Sequence, residues 1–329
     1  VIKPSIKIID NARSSAFPFS PKKSTIYFGS IIIAFLIPFA FIFLYFLLDT
    51  KIHTKNELEN LLNPDIPIIG EIPFLHNQDM LNSFVLSESR NELAESIRMI
   101  VANLEYIFSN HKKNSKVILT TSTIKGEGKT ICSANIASVL TTKSNKVLLV
   151  GADLRNPRLH KFINVDKNIP GLTNFLFDST QDWENFIVKH ANLDILVSGA
   201  IPPNPTQLLS SVAFKKFIEH ARTIYDYVII DSAPCLLVSD TFEISKHCDC
   251  SVYVFRANHS DKKLTDYINN LKSNNILSPN FNIVINSVGN SQSYGYKYGY
   301  QYGYQYGYKY GYNYGYGYGY GVEDKIENS

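Results

Sequence analysis

The run Lys116-Val-Ile-Leu-Thr-Thr-Ser-Thr-Ile-Lys-Gly-Glu-Gly-Lys-Thr130 is the most decisive local pattern in the chain. Lys116 to Ser122 is apolar enough to read as a buried strand, and Thr130 to Leu140, with small and apolar residues on one face, reads as a helix. Between them, Thr123-Ile-Lys-Gly-Glu-Gly-Lys-Thr130 fits a phosphate-binding loop with Thr123 in place of its first glycine. Gly126 and Gly128 let backbone N–H groups approach phosphate oxygens, and the positive end of the helix adds to the attraction. Lys129 is expected to reach the outer phosphates and Thr130 to hold Mg²⁺ through its hydroxyl. Gly126, Glu127, Gly128, Lys129, Thr130 and Ile131 make up the expected nucleotide-binding set, with ATP and Mg²⁺ as cofactors.

Two further apolar strands end in carboxylates. Val147 to Val150 runs into Gly151-Ala-Asp153-Leu-Arg155, and Tyr227 to Ile230 runs into Asp231-Ser-Ala-Pro234. In a doubly wound sheet the carboxyl ends of parallel strands form the ligand-binding edge, so Asp153 and Asp231 are expected beside the glycine loop. An acid there can orient water around Mg²⁺ or accept a proton; it can equally serve as a helix cap or turn residue. Apolar runs at Leu193 to Val197, Cys250 to Phe255 and Asn282 to Ile285 continue the pattern, with helices expected near Val212 to Thr223 and Ser260 to Asn274. The expectation is an α/β domain over 88–290, a P-loop NTPase-type, doubly wound, mostly parallel sheet with helices on both faces.

Thr25 to Leu48 carries no charge and is dense in Ile, Phe and Leu, long enough to cross a hydrocarbon core of about 30 Å at 1.5 Å per residue. It reads as a transmembrane helix, too long for a signal peptide, with a kink expected at Pro38. Basic residues flank it on both sides, so they do not set its orientation. The nucleotide site does: 1–24 is expected outside and 49 onward inside, with 49–87 as a cytoplasmic linker. The chain starts at Val1 and its only methionines are Met80 and Met99, so a longer protein is expected. A net charge of +3 is too small to suggest a nucleic-acid partner. Cys132, Cys235, Cys248 and Cys250 show neither zinc spacing nor a disulfide framework and suit a reducing cytosol.

The C-terminal segment 291–329 is set apart by tyrosine. Tyr294, Tyr296, Tyr298, Tyr300, Tyr302, Tyr304, Tyr306, Tyr308, Tyr310, Tyr312, Tyr314, Tyr316, Tyr318 and Tyr320 occupy every even position of repeating Tyr-Gly-Tyr-X units. These 14 of the 21 tyrosines leave 7 elsewhere, against 20 phenylalanines, none of which lies in the tail, so the hydroxyl rather than aromatic bulk is required. Three readings stand: a strand with all its rings on one face, a self-associating low-complexity segment, or a phosphorylation cassette. Alternate glycines weaken the strand reading, and disorder is expected.

Together these residues resemble the bacterial tyrosine kinases of the polysaccharide co-polymerase family, which regulate exopolysaccharide and capsule chains. Thr121 to Thr130 resembles that family's Walker A, Val147 to Arg155 its Walker A′ and Ile229 to Pro234 its Walker B. Ile66-Pro-Ile-Ile-Gly-Glu-Ile-Pro73 resembles its link into the kinase, and Pro202-Pro-Asn-Pro-Thr206 is also characteristic. The resemblance implies a membrane-anchored enzyme of the bacterial inner membrane, with its kinase domain and tail cytoplasmic. It would move phosphate from Mg-ATP onto tail tyrosines of a neighbouring subunit in a ring-like homo-oligomer. A partner phosphatase and the polysaccharide polymerase and export machinery are implied as well. Lys129, Asp153 and Asp231 are then the catalytic set, Thr130, Asp153 and Asp231 the metal set, and Asp153 the first choice for removing the phenol proton. A flexible tail of this size spans roughly 30 Å, enough for delivery to a neighbour.

The chain departs from the family pattern at three points. Gly151 stands where the family has the first aspartate of Walker A′, and Lys125 where it commonly has proline. The subunit-contact motif keeps Glu95 and Arg98 but ends at Val101. An exposed pair on one helix would equally explain Glu95 and Arg98. Two rival readings are a partition- or septum-type membrane ATPase, whose signature lysine would fall at Ile124, and a nucleotide-binding scaffold without kinase activity.

Overall fold

A computed structural model describes residues 20, 22–75, 83–85, 91–109, 115–278 and 280–289. The tyrosine tail and nearly all of 1–24 lie outside them, so expectations placed there concern residues beyond the described ones. Helix α1 (Lys23–Leu48) carries the apolar run, with no residue buried against the rest of the protein, and is long and apolar enough to cross a membrane. Beyond it follow α2 (Lys55–Leu61), β1 (Ile68–Pro73), α3 (Glu92–Phe108), β2 (Lys116–Ser122) and α4 (Lys129–Thr141). Next come β3 (Val147–Gly151), α5 (Leu172–Phe177), β4 (Val188–His190), β5 (Leu193–Leu196), α6 (Pro205–Leu209) and α7 (Val212–Ile224). The series closes with β6 (Tyr227–Asp231), α8 (Asp240–Ser245), β7 (Cys250–Arg256), α9 (Leu264–Ser273) and β8 (Asn280–Val288).

Eight strands form one sheet in the order β1-β8-β7-β2-β6-β3-β5-β4, parallel except for the β4–β5 edge pair. The inner strands are apolar throughout because both faces are covered. One core contains Val117, Leu119, Val228, Ile230 and the aromatics Phe214 and Phe217, and the other packs Ile118, Ile229 and Val252 against α3 and α4. Alternate residues of each strand feed the two cores, as a period of two requires. The chain runs from β2 outward past β6 to β3, then crosses back to β7, so the loops diverge at the carboxyl ends of β2 and β6, where such sheets bind ligands.

The segment expected to be a linker, 49–87, supplies two elements to this body. β1 pairs with β8 in parallel, and Ile52, Leu58, Leu62 and Ile66 are buried in the same core as Phe214. Its flanking prolines, Pro67 and Pro73, and the internal Gly70 hide the strand from pattern reading. Gly70 is there because a Cβ would overlap the Ile100 side chain on α3. The four cysteines are free and buried.

Candidate active site

The sheet edge brings the expected residues together. From β2 the chain turns through Thr123 to Gly128 and enters α4 at Lys129, with Gly126 at φ +91° and Gly128 at φ +99°, conformations that favour glycine. At Gly128 a side chain is excluded twice, because a Cβ would also overlap the Asn286 amide. Lys129 and Thr130 open the 13-residue α4, whose first N–H groups face the loop. Ile131 is half-buried against the core beneath, leaving its backbone rather than its side chain for a ligand.

Asp231 ends β6 with Gly151 of β3 opposite it, and the Ala152 N–H donates to the Asp231 carbonyl (2.8 Å). Two residues beyond Gly151, Asp153 accepts the Asn156 N–H on Oδ1 (3.0 Å) and is buried. The Thr130 hydroxyl donates to Asp231 Oδ2 (2.8 Å), while Asp231 Oδ1, fully buried, has no hydrogen-bond partner. Burial pushes the Asp231 carboxyl up to about 7. Lys129 pulls it down, the Asp153 charge pushes it up, and hydrogen bonds from Thr130 and Ser133 favour the ionised form. A hydroxyl bonded to a carboxylate whose second oxygen is unpartnered is a donor set of hard oxygens that fits Mg²⁺. Thr130 and Asp231 are placed to hold it, with Asp153 beside them.

Glu127 fits a different role for its side chain than contact with nucleotide. Its Oε2 accepts the Ile124 N–H (2.8 Å), its Oε1 accepts the Ser260 hydroxyl (2.5 Å), and burial raises its pKa. It braces the loop from behind. Four more residues do the same, and nothing in the sequence marks them. Arg256 donates to Gly126 O (2.9 Å), His259 Nε2 lies 3.2 Å from Lys125 O, and Asn286 donates to Glu127 O (2.9 Å). The hydroxyl of Thr123, the residue at the missing glycine, lies 2.6 Å from that of the buried Tyr253.

Arg155 pairs with the fully buried Asp240 through Nε (2.7 Å) and Nη2 (3.1 Å), with Thr206 joining the same cluster. That pair ties the loop carrying Asp153 to α8 and to the proline-rich Pro202–Thr206 stretch. Gly151 also has a local reason. A Cβ there would lie 2.8 Å from Ser198 Oγ and 3.1 Å from Ser198 N, so the space for a side chain is taken. Glu95 and Arg98 pair within α3 (2.5 Å), whereas Val101 belongs to the core, so an arginine there could not face a partner.

The AAA domain family profile matches residues 115–278. A tyrosine-protein kinase, YwqD, of Bacillus subtilis is 35% identical over 183 residues, covering 55% of this chain and 76% of the relative. A tyrosine-protein kinase, ptk, of Acinetobacter johnsonii is 29% identical over 264 residues, covering 76% of this chain but 35% of the relative. The chain therefore spans about a third of the length of that relative. Among solved structures, the chimerical protein CapA2B2 is similar at a TM-score of 0.62 and 27% identity, over 72% of this chain and all of the other.

Proposed function

Because the chain belongs to the family of bacterial tyrosine-protein kinases, we propose that it transfers the γ-phosphoryl group of ATP to tyrosines of its own C-terminal cluster. The observation that carries this reading is the Thr130–Asp231 hydrogen bond at the start of α4, with Lys129 beside it and Asp231 Oδ1 unpartnered. Lys129 and the loop amides would hold the β- and γ-phosphates, and Thr130 and Asp231 would hold the metal with Asp153. Mg²⁺, when bound, neutralises charge on the phosphates. A tail phenol then attacks in line: a bond forms from its oxygen to the γ-phosphorus, the bond to ADP breaks, and Asp153 takes the phenolic proton. A free phenol titrates near pH 10, so a carboxylate at the attacking oxygen lowers the cost of that step.

The acceptor is a tail tyrosine of Tyr294 to Tyr320 from a neighbouring copy, in a ring-like homo-oligomer anchored by α1 in the inner membrane with the kinase domain and tail in the cytoplasm. Accumulating phosphates add about 1.5 to 2 negative charges each and push the tails apart, so phosphorylation state sets subunit association. A phosphatase resets the cluster. Through this cycle the protein acts on polysaccharide polymerisation and export. The membrane helix, the site chemistry and the named relatives support this reading.

Incubation with γ-labelled ATP tests the reading, using Lys129→Met as control. Label on tyrosine in the wild type alone supports it, and equal label in both overturns it. Mixing a Lys129→Met chain that keeps its tail with an active chain cut before Tyr294 tests delivery between copies: label must appear on the Lys129→Met chain.

A further inference from the structure

The chain leaves α1 at Asp49 and is immediately annealed to the loop between β7 and α9. The Lys262 N–H donates to Thr50 O (2.8 Å), the Ile52 N–H to Ser260 O (3.3 Å) and the Asn258 N–H to Ile52 O (2.8 Å), with Lys51 and Asp261 bridged in antiparallel fashion. The other side of this loop grips the glycine loop through Arg256 on Gly126 O, His259 on Lys125 O and Ser260 on Glu127. One short turn thus touches both the membrane-proximal chain and the phosphate cradle.

His53 stands at the first of these contacts. Its Nε2 lies 2.7 Å from Asp49 Oδ2, and its Nδ1 is hydrogen-bonded to Asn258 Oδ1. The Asp49 carboxylate can only accept, so Nε2 carries a proton; with the Asn258 amide oxygen turned to Nδ1, as here, that nitrogen carries one too, and the ring is an imidazolium. Asp49 faces it from its own segment, and Glu57 of α2 accepts the His53 backbone N–H (2.9 Å). Lys262 lies 2.8 Å from Glu57 and 3.5 Å from Asp49 O, while Lys51 and Asp261 meet through a backbone bridge and Asp261 Oδ1 accepts the Lys263 N–H (3.0 Å). Two carboxylates therefore favour the charge, and the nearby ammonium is paired. The hydrogen bond to Asn258 raises the His53 pKa most, burial opposes it, and Asp49 adds to the rise. Asn258 itself sits at φ +60°, a left-handed conformation that asparagine tolerates.

We propose that His53, as an imidazolium, is a positioning residue for the nucleotide loop, acting through the Asn258–Ser260 turn on the Lys125–Glu127 backbone and the Glu127 carboxyl. When the ring loses its Nδ1 proton, the bond to Asn258 Oδ1 is lost unless that amide turns over, the charge assistance is lost either way, and the turn loosens its grip. Nucleotide affinity then falls as pH rises through the His53 titration, because the raised pKa makes the protonated form the one the fold favours. Lys129, Thr130, Asp153 and Asp231 are untouched. The inference rests on reading the glycine loop as the ATP site.

The test is binding of a fluorescent Mg-ATP analogue to the full chain in lipid nanodiscs from about pH 6 to 8.5, the range in which histidine titrates. Wild type is compared with His53→Gln, which can bond to the same partners but cannot titrate, and with Lys129→Met. The ratio of the wild-type to the Gln dissociation constant cancels titration of the nucleotide and of Asp231. It should rise about three- to tenfold across the range, the size of one ordinary net hydrogen-bond contribution, with kcat at saturating ATP unchanged and KM carrying the effect. Asn258→Asp gives the ring a charged partner and should move the wild-type midpoint to higher pH. A flat ratio, or a midpoint that Asn258→Asp does not move, overturns the role of His53 while leaving the ATP site standing. Binding that survives Lys129→Met instead overturns the ATP site.

Discussion

Asp231→Asn should raise the stability of the nucleotide-free protein at pH 8, although it removes a residue the proposed chemistry requires. The parent side chain is 2% exposed, and burial holds its carboxyl at about 7, well above the 3.8 of a free aspartate. A gap of about 3 pH units at ~1.4 kcal/mol each places a cost of roughly 4 kcal/mol on the ionised form. The sign follows from proton binding: between about pH 4 and 7 the folded state keeps a proton that the unfolded chain has released, so stability falls as pH rises and the full cost applies above 7. Asn still accepts the Thr130 hydroxyl but leaves an amide NH₂ where Oδ1 has no partner, returning about 1–3 kcal/mol. The net gain is about 2 kcal/mol at pH 8, or roughly 4–8 °C in melting temperature for a domain this size. At pH 5 only about a third of the cost has developed, and the gain vanishes. Trp183, the single tryptophan and a buried one, reports the melt. A variant less stable than the parent by the same margin at both pH values would refute the reasoning, because it would make Asp231 a structural acceptor rather than a buried charge held for a ligand.

Gly128→Ala should weaken Mg-ATP binding at least tenfold in a titration of the full chain, since the left-handed backbone and the Asn286 amide both reject a Cβ. Gly151→Asp, which restores the family residue, should destabilise the fold by about 1–3 kcal/mol by crowding Ser198, and Ser198→Gly in the same chain should recover much of the loss in chemical denaturation. Asp240→Asn should cost about 1–3 kcal/mol and raise KM or lower kcat, because it leaves Arg155 without its buried partner and frees the loop that carries Asp153.

The glycine loop and its strands were legible because each is a local pattern: apolar runs set β2, β3 and β6, and a carboxylate follows the last two. The structure places Lys129, Thr130, Asp153 and Asp231 at one edge as that pattern requires. Residues that act across the fold left no such mark. Arg256, Ser260 and Asn286 reach the glycine loop from more than a hundred positions downstream as isolated polar side chains, and only the pairing of β2 with β7 and of β7 with β8 brings them there. The short edge strand β4 is three residues long and mostly exposed, below what alternation can signal. The prolines of β1 mask its strand pattern, and the reason for Gly151 lies in the fold, where Ser198 fills the space a side chain would need.

The most direct test of the central claim is intact mass spectrometry of the full chain after incubation with Mg-ATP, followed by mapping of the modified residues. A ladder of phosphates confined to Tyr294–Tyr320, present in the wild type and absent from Lys129→Met, is the expected result. Phosphates that persist in Lys129→Met, or that map outside the tail when its tyrosines are all changed to phenylalanine, would contradict it.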